Sequence, residues 1–312
     1  MGKKKDRSLF PPVPGRLEVP IVDNHTHVGT DRPGQTQNRS DTGEPRYPLL
    51  IDGQLETMAE AGISHAITVG CSIPDLDDVI ELARTHPSFF SAAIAIHPND
   101  AAVHAGILES GPDGLTPTAE DHHRLSLDEA IGEVADRAGA PEVVAIGETG
   151  LDYFRTSESG IQAQKESFRA HVALAKELDK PLQIHDRDAH RDTVELLLAE
   201  GAPDRTVFHC FSGDRELAEI LAENGWYASF AGPATFPAND ALRQALRAMP
   251  SELILVETDA PYLTPAPYRG RPNAPYLAGV TAEFMASQRG SDVADFCHIL
   301  NKNTRRVYGD IG

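Results

Sequence analysis

The sequence has few cysteines and no long apolar segment, and these two absences exclude several classes of protein. Its three cysteines (Cys71, Cys210 and Cys297) are too few and too scattered for a disulfide scaffold or a Cys-x-x-Cys zinc site. No apolar run reaches the length of about 18 residues that a membrane-spanning helix needs. The basic start, MGKKKDRSLFPPVPG, lacks the apolar core of a secretory signal. These features predict a cytoplasmic protein without a membrane anchor, and they indicate no obligate protein partner.

Basic residues are also scarce. The chain has 28 Lys and Arg against 47 Asp and Glu, which gives a formal net charge of −19. This charge argues against broad electrostatic binding to nucleic acid, because such binding needs a basic face. A phosphate substrate held by metal ions is still compatible with it, because bound cations are missing from the sum.

The residues that are present alternate between short apolar runs and longer amphipathic segments. Eight apolar runs rich in Val and Ile predict buried parallel strands at 19–23, 65–70, 91–96, 142–147, 181–184, 205–208, 226–230 and 253–257. The intervening helices are predicted at 52–61, 75–85, 125–138, 161–179, 189–200, 214–224 and 239–248, with a last helix near 292–306.

Eight alternations fit either an open doubly wound sheet or a closed barrel. The chain length favours the barrel, for which about 250 residues is typical. We therefore predict an α/β fold of the (β/α)8 TIM-barrel type over residues 19–312, preceded by a flexible arm over residues 1–18. Two long loops, 29–50 and 98–124, follow the first and third strands on the side where barrels place active sites. They either shape a substrate rim or are neutral insertions.

Histidines and carboxylates follow five of the predicted strands. The first strand runs into Asp23-Asn24-His25-Thr26-His27 and the fourth into Gly147-Glu148. The fifth, sixth and eighth strands end at His185, at His209 and at Glu257-Thr258-Asp259. Because the carboxyl ends of barrel strands converge on one mouth, we expect these side chains to meet there. Such nitrogen and oxygen donors suit divalent ions such as Zn²⁺, Mn²⁺ or Mg²⁺.

Six ligands exceed what one tetrahedral ion needs, and they suit two ions that share a carboxylate. The expected ligands of one ion are His25, His27 and Asp259, those of the other are His185 and His209, and Glu148 is the expected bridge. Two ions about 3.5–4 Å apart can polarise a phosphoryl oxygen and activate a water at neutral pH. Asp259 either accepts the proton of that water or serves as a ligand alone. Asp259 and Glu148 are therefore the candidate catalytic residues.

A set of motifs occurs in order along the chain: DNHTH (23–27), AIHP (95–98), GETGLDYFR (147–155), IHDRDA (184–189), HCFSG (209–213), ETDAPYL (257–263) and RGRPN (269–273). Together they resemble the TatD family of metal-dependent deoxyribonucleases over roughly residues 19–310. The resemblance implies a TIM barrel with two divalent ions on the same six residues. It also implies hydrolysis of phosphodiester bonds at the ends of single-stranded DNA or oligonucleotides, in the 3′ to 5′ direction. Where family members often carry a second histidine, as HPH, this chain has Asn99.

Five further side chains are candidate contacts for a phosphate or a base: His97, Arg155, Arg187, Arg271 and Asn273. An arginine can hold a phosphate through two parallel hydrogen bonds. The alternatives are an ion pair for Arg155, a loop tether for Arg187, and a solvated loop held by ion pairs for the segment that contains Arg271 and Asn273.

Two other functions share part of this pattern. Amidohydrolases and lactonases also place His-x-His after the first strand, histidines after the fifth and sixth, and Asp after the eighth. Many of them bridge their ions with a modified lysine at the fourth strand, whereas this chain has Glu148 there and no lysine nearby. That difference favours the nuclease. A barrel that only stores metal or acts as a scaffold is disfavoured, because all six expected ligand positions carry a histidine or a carboxylate.

Overall fold

The computed structural model describes residues 7–41 and 43–311, and in them eight parallel strands form one sheet in sequence order. The strands are β1 (Ile21–Thr26), β2 (Ile63–Gly70), β3 (Phe90–Ile94), β4 (Val143–Asp152), β5 (Leu182–Arg187), β6 (Thr206–Phe208), β7 (Tyr227–Phe230) and β8 (Ile254–Val256). A parallel bridge between Thr26 and Ala260 joins the first strand to the segment after the last one. The His27 N–H also donates to the Ala260 carbonyl at 2.7 Å. The predicted (β/α)8 TIM barrel is confirmed.

The strands are buried on both faces, which explains their apolar sequences. Every residue of β1, β3, β6, β7 and β8 is buried. Such strands read as continuous runs of Val, Ile, Leu and Ala because helices cover the outer face and side chains fill the inside. All eight predicted strands overlap observed ones, and β4 continues five residues past the predicted end at 147, to Asp152.

Ten α-helices surround the barrel in the described residues. They are α1 (Ile51–Ala61), α2 (Ile73–Thr85), α3 (Pro98–His104), α4 (Leu127–Ala138), α5 (Ile161–Glu177), α6 (His190–Glu200), α7 (Arg215–Asn224), α8 (Asp240–Ala248), α9 (Ala278–Arg289) and α10 (Val293–Tyr308). Ser126 and Glu129 form a reciprocal capping box at the start of α4. Within the described chain, no helix is both long enough and apolar enough to cross a membrane.

The two long loops differ in structure. The loop after β3 contains the short helix α3 and a 3-10 turn at Asp121–Arg124. The described part of the loop after β1 forms only isolated bridges before α1 begins. Both loops follow the carboxyl ends of strands, so they lie on the side of the barrel mouth.

Residues 7–18 differ from the flexible arm that the sequence predicts. Leu9 forms an antiparallel bridge to the loop after β1, and the side chains of Phe10 and Leu17 are buried in the core cluster. The Leu17 N–H donates to the carbonyl of the last residue of α1 at 3.1 Å. The burial of Phe10 and Leu17 therefore packs this segment against the barrel, although its sequence has no periodic pattern. The first six residues of the predicted arm lie outside the described residues.

Candidate metal centre

One buried carboxylate lies at the centre of the barrel mouth with four histidines around it. Glu148 Oε1 is 2.5 Å from His185 Nδ1 and 2.6 Å from His209 Nε2. Its Oε2 is 3.5 Å from His25 Nε2 and 3.8 Å from His27 Nε2. The five side chains lie in the carboxyl-terminal halves of β1, β4 and β5 or directly follow β1 and β6, and the barrel brings them to one point as the sequence predicts.

Asp259 joins this group from the end of β8. Its Oδ1 lies 3.3 Å from His27 Nε2, and its N–H donates to the His25 carbonyl at 2.9 Å. The backbone before it is held by the fully buried Asp23, whose carboxylate accepts the Thr258 N–H at 2.8 Å and the Thr258 hydroxyl at 2.5 Å. The acidic residue of the DNHTH motif therefore fixes the turn that presents Asp259.

The outward ring nitrogen of each of the four histidines faces a hydrogen-bond acceptor. The pairs are His25 Nδ1 with Gln183 Oε1 (3.0 Å), His27 Nδ1 with the Val69 carbonyl (3.2 Å), His209 Nδ1 with Glu257 Oε1 (3.2 Å) and His185 Nε2 with Asp152 Oδ2 (3.1 Å). A ring nitrogen that donates to an acceptor carries the proton, so the other nitrogen of the neutral ring presents a lone pair. In neutral rings, all four lone pairs would point toward Glu148. Metal-ligating histidines in proteins are oriented in this way.

The electrostatics of the mouth keep its carboxylates ionised. Burial raises the pKa of Glu148, but the nearby imidazoles of His209, His97 and His185 outweigh burial, so its pKa lies well below the usual range. The pKa of Asp259 is also lowered, because its contact with the His27 imidazole more than compensates for burial. Burial lowers the pKa of His185, but Glu148 and Asp152 outweigh burial and raise that pKa to about 9; the pKa values of His27 and His209 are also raised. The metal-free rings therefore hold protons at neutral pH, and a divalent cation would displace these protons to reach the ring nitrogens.

A buried atom without a partner supports the same interpretation. His25 Nε2 is buried and has no hydrogen-bond partner within the described chain. Burial lowers the pKa of His25, so its ring is held neutral with the lone pair available. Buried polar atoms are almost always paired, and a cation at this point would satisfy this nitrogen.

Ligand atoms of the mouth form three overlapping groups, in each of which all atoms lie within 4.8 Å of one another. The groups are His25–His27–Glu148, His25–His209–Asp259 and His97–Glu148–His185. The mouth is therefore able to bind metal, and every predicted ligand belongs to at least one group. The grouping crosses the predicted division between two ions, because the His25 and His209 rings stack with centroids 3.9 Å apart. Which residue holds which ion stays a prediction.

Comparison with known proteins decides the family. The model of TatD-related DNases matches residues 22–309. The chain belongs to the TatD family. The metal-dependent hydrolase TatD of Mycobacterium tuberculosis is 36% identical over 293 residues, which cover 93% of this chain and 98% of that protein. The metal-dependent hydrolase YcfH of Escherichia coli is 38% identical over 236 residues, which cover 75% of this chain and 88% of that protein.

A solved structure shows the same fold. The Escherichia coli TatD homologue YjjV has a TM-score of 0.73 and 24% identity, and the match covers 93% of this chain and 98% of that one. The resemblance seen in the sequence motifs is thus confirmed. This TatD family member belongs with metal-dependent hydrolases.

Sequence analysis missed the side chains that orient the histidines of the mouth. Gln183 is buried, and its amide N–H groups donate to the Asn24 carbonyl at 3.0 Å and to the Tyr308 hydroxyl at 2.9 Å, which turns Oε1 toward His25. Glu257 accepts the Cys210 N–H at 2.7 Å in addition to the His209 ring. Alternation along the strands puts these side chains inside the barrel, but nothing in the sequence indicates which ring nitrogen they face.

Cys71 is a further mouth residue that sequence analysis did not single out. It follows β2, and its Sγ lies 3.5 Å from Glu148 Oε2. Burial and the Glu148 charge raise the pKa of the Cys71 thiol to about 12. The thiol is therefore neutral at physiological pH and donates to the carboxylate instead of competing as a thiolate ligand.

His97 lies beside Glu148 but differs from the four other histidines. Its Nε2 is 3.5 Å from Glu148 Oε1, whereas its Nδ1 accepts the Asn99 N–H at 3.1 Å. The neutral ring then carries its proton on Nε2, at the mouth. His97 is therefore arranged as a hydrogen-bond donor, which suits a substrate oxygen better than a metal ion.

Two of the three predicted arginine contacts, Arg155 and Arg187, lie beside the mouth. The Arg187 guanidinium stacks over the Phe154 ring at 4.1 Å from its centroid. Arg155 is exposed and forms no ion pair with any described residue. The Tyr262 side chain is 63% exposed, with its ring centroid 6.1 Å from that of His27. Positive charge and exposed aromatic surface are thus available next to the metal-binding groups.

Arg271 and Asn273 instead hold the loop after β8. The Asn273 side chain is buried, and its amide donates to the carbonyls of Thr258 at 2.9 Å and Tyr262 at 2.6 Å. The Arg271 guanidinium lies 3.5 Å from the Phe10 carbonyl. Because the Asn273 amide is already engaged with the backbone, the structure places it as a loop clamp and not as an open substrate contact.

Proposed function

We propose that this TatD family member hydrolyses phosphodiester bonds in DNA and removes nucleotides from the 3′ end of single strands. The observation that carries the proposal is the mouth itself: four imidazoles with fixed outward nitrogens face one buried, ionised carboxylate. The printed family description, TatD related DNase, supplies the substrate class.

We assign two divalent ions to the mouth, with Glu148 as the shared carboxylate. The proposed ligands are His25, His27, Glu148, His185, His209 and Asp259. Bound ions would act as Lewis acids toward a phosphoryl oxygen and would lower the pKa of a water molecule.

Asp259 is the proposed proton acceptor. Its side chain is 13% exposed, compared with 4% for Glu148, so a water molecule reaches Asp259 more easily. Its lowered pKa keeps it ionised and able to accept a proton at neutral pH. Glu148 is the more enclosed group and is better suited to hold the centre together.

The substrate would be held by donors on one side of the mouth. His97 presents Nε2–H beside Glu148, and Arg187 is kept in place by its stacking on Phe154. Arg155 is free to form bidentate hydrogen bonds with a phosphate. A mouth of this kind reaches a phosphate at a strand end more easily than one within a duplex.

The test uses single-stranded oligonucleotides labelled at either end, with Mn²⁺ or Mg²⁺ added to the purified protein. We expect early release of the 3′ label as a mononucleotide. Asp259→Asn should lose at least about 100-fold in kcat, the usual scale for a positioned acid–base group. Glu148→Gln should lose activity at least as strongly, because it removes the carboxylate proposed to hold both ions. Glu216→Gln, which removes an exposed carboxylate on α7, should behave like wild type.

Two results would contradict the proposal. One is no cleavage of DNA by the metal-loaded wild type, and the other is equal cleavage by wild type and Glu148→Gln. A parallel panel of lactones and amides identifies the alternative: turnover there without turnover of DNA would indicate an amidohydrolase-type or lactonase-type enzyme.

A further inference from the structure

The loop after β3 holds a second group of metal-ligand side chains that shares no residue with the barrel mouth. Asp100 and His104 lie four residues apart on α3, so they project from the same face of the helix. His122 and His123 come from the 3-10 turn at Asp121–Arg124. One ligand atom from each of the four residues lies within 4.8 Å of the other three.

Each of the four residues has a buried polar atom without a hydrogen-bond partner among the described residues. Asp100 Oδ2 and the Nε2 atoms of His104, His122 and His123 are all buried without a partner in the part of the chain that the structure describes. The closest approach of His122 Nε2 to Asp100 Oδ2 is 3.7 Å, too long for a hydrogen bond. Buried polar atoms without partners are costly in a folded protein, and a bound cation would satisfy those that offer a lone pair.

The ring nitrogens on the far side show which histidines offer a lone pair. His104 Nδ1–H donates to the Leu125 carbonyl at 2.8 Å, so its Nε2 carries the lone pair. His122 Nδ1 lies 3.8 Å from Glu120 Oε2 and forms no hydrogen bond there, so its ring is able to place the lone pair on Nε2. His123 is different, because its Nδ1 accepts the Glu120 N–H at 2.9 Å and its proton therefore stays on Nε2. That Nε2 lies 3.4 Å from Asp100 Oδ1.

We propose that Asp100, His104 and His122 bind a Zn²⁺ ion apart from the barrel mouth, with His123 positioning the Asp100 carboxylate. Two imidazoles and one carboxylate are typical zinc donors. A water molecule would complete the tetrahedron as the fourth ligand. This inference does not depend on the proposed nuclease activity.

Such an ion would tie α3 to the 3-10 turn and close the segment between them. This segment packs on the loop after β4, where the Asp113 N–H donates to the Phe154 carbonyl at 3.0 Å. It also exposes Leu115, whose side chain is 60% exposed. The ion would therefore stiffen the rim next to Arg155 and Arg187.

The first experiment counts zinc. Full-length protein is stripped with a chelator, reloaded with Zn²⁺, desalted and measured by mass spectrometry for zinc per chain. We expect Asp100→Asn and His122→Gln each to hold one ion fewer than wild type. Asp121→Asn, which removes a neighbouring carboxylate whose side chain is 93% exposed, should hold as many ions as wild type. Glu148→Gln, altered only at the mouth, should retain the loop ion.

The second experiment follows the loop directly. Chymotrypsin should cleave after Leu115 several-fold more slowly when Zn²⁺ is added to stripped wild type, and Zn²⁺ should give no such protection to Asp100→Asn. Circular dichroism identifies which variants are folded. A folded Asp100→Asn or His122→Gln with the wild-type number of zinc ions would overturn the proposal, and so would a wild-type cleavage rate that is unchanged by zinc.

Discussion

At the scale of single residues, the candidate metal centre depends on hydrogen-bond acceptors that orient its histidines and are not themselves proposed ligands. Gln183, Glu257 and Asp152 each accept the outward N–H of one histidine, and the Val69 carbonyl does so for a fourth. Each acceptor fixes both the tautomer and the ring orientation. The ring nitrogens that face Glu148 are thus positioned for an ion, which would displace their protons.

Glu257→Gln tests this orienting role. The substitution removes the charge that accepts the His209 Nδ1–H, while the amide keeps the size of the side chain. We expect a loss of about 10–100-fold in metal affinity, the usual effect of removing such a partner. Chelator competition measures the affinity, with Glu216→Gln as the exposed control. Unchanged affinity in a folded Glu257→Gln protein would show that His209 needs no orienting group.

The ligands were predictable from the sequence, but their partners were not. His25, His27 and Glu148 stand directly at the ends of apolar runs, where a barrel must bring side chains together. Gln183 and Asp152 lie within strands and could equally have filled the interior without facing a histidine. Which atoms face each other depends on strand register, which a single sequence does not reveal.

His171 makes the stability of the fold depend on pH. It is fully buried on α5, its Nε2 accepts the Ile96 N–H at 3.2 Å, and its Nδ1–H donates to the Ser167 carbonyl at 2.7 Å. Burial lowers its pKa to about 4. The unfolded chain takes up a proton near pH 6.5, so the stability is complete above that pH and falls as the pH drops toward 4.

Urea unfolding of wild type and His171→Gln between pH 7 and 5 measures the effect. Wild type should lose about 2 kcal/mol more than the variant over this range, because about 1.5 units of pH separate 6.5 from 5 at 1.36 kcal/mol per unit. Equal losses of stability in the two proteins would mean that the pKa of His171 is the same in the folded and the unfolded chain.

At the scale of elements, the approach of β4 to β5 leaves no room for a side chain at Gly147. A Cβ there would lie 2.5 Å from the Gln183 Cβ and 2.8 Å from its carbonyl oxygen. Gly132 on α4 is the opposite case, since a Cβ there would meet nothing within 4 Å. Gly→Ala substitutions at these two positions therefore allow a matched comparison.

We expect opposite effects of Gly→Ala at these positions on the free energy of unfolding. Gly147→Ala should lower the free energy of unfolding by about 3 kcal/mol or more, the upper end of the range for overpacking a core. Gly132→Ala should raise it by about 0.5–1 kcal/mol, because glycine is unfavourable inside a helix. Denaturant unfolding measures both values. A Gly147→Ala protein as stable as wild type would show that the strands can separate at little cost.

The elements that sequence analysis missed have weak patterns for identifiable reasons. Helix α9 is rich in small residues, with Gly279 in its first turn and little contrast between its faces, so its periodicity is faint. Helix α3 has only seven residues, and its start at Pro98 and Asn99 is typical of a turn. The packed N-terminal segment has buried apolar residues at Phe10 and Leu17, which are too far apart to form a pattern.

At the scale of the whole molecule, the net charge of −19 opposes a polyanionic substrate. The structure offsets it only locally, with Arg155 and Arg187 next to the mouth and with any ions bound there. Long-range attraction therefore contributes little to binding, and the contacts within reach of the mouth decide the affinity. Low affinity for DNA follows from this distribution.

Salt dependence tests this distribution of charge. Two phosphate contacts on a single strand give a slope of about −1.4 for log K against log salt, at about −0.7 per contact. Fluorescence anisotropy with a labelled oligonucleotide measures the slope in Asp259→Asn, which should bind without cleaving. Arg187→Gln should reduce the slope by about 0.7, whereas Arg191→Gln, an exposed arginine paired with Glu195, should leave it unchanged. A slope steeper than about −4 would require a basic surface of several more cations, which the charge of this chain makes unfavourable.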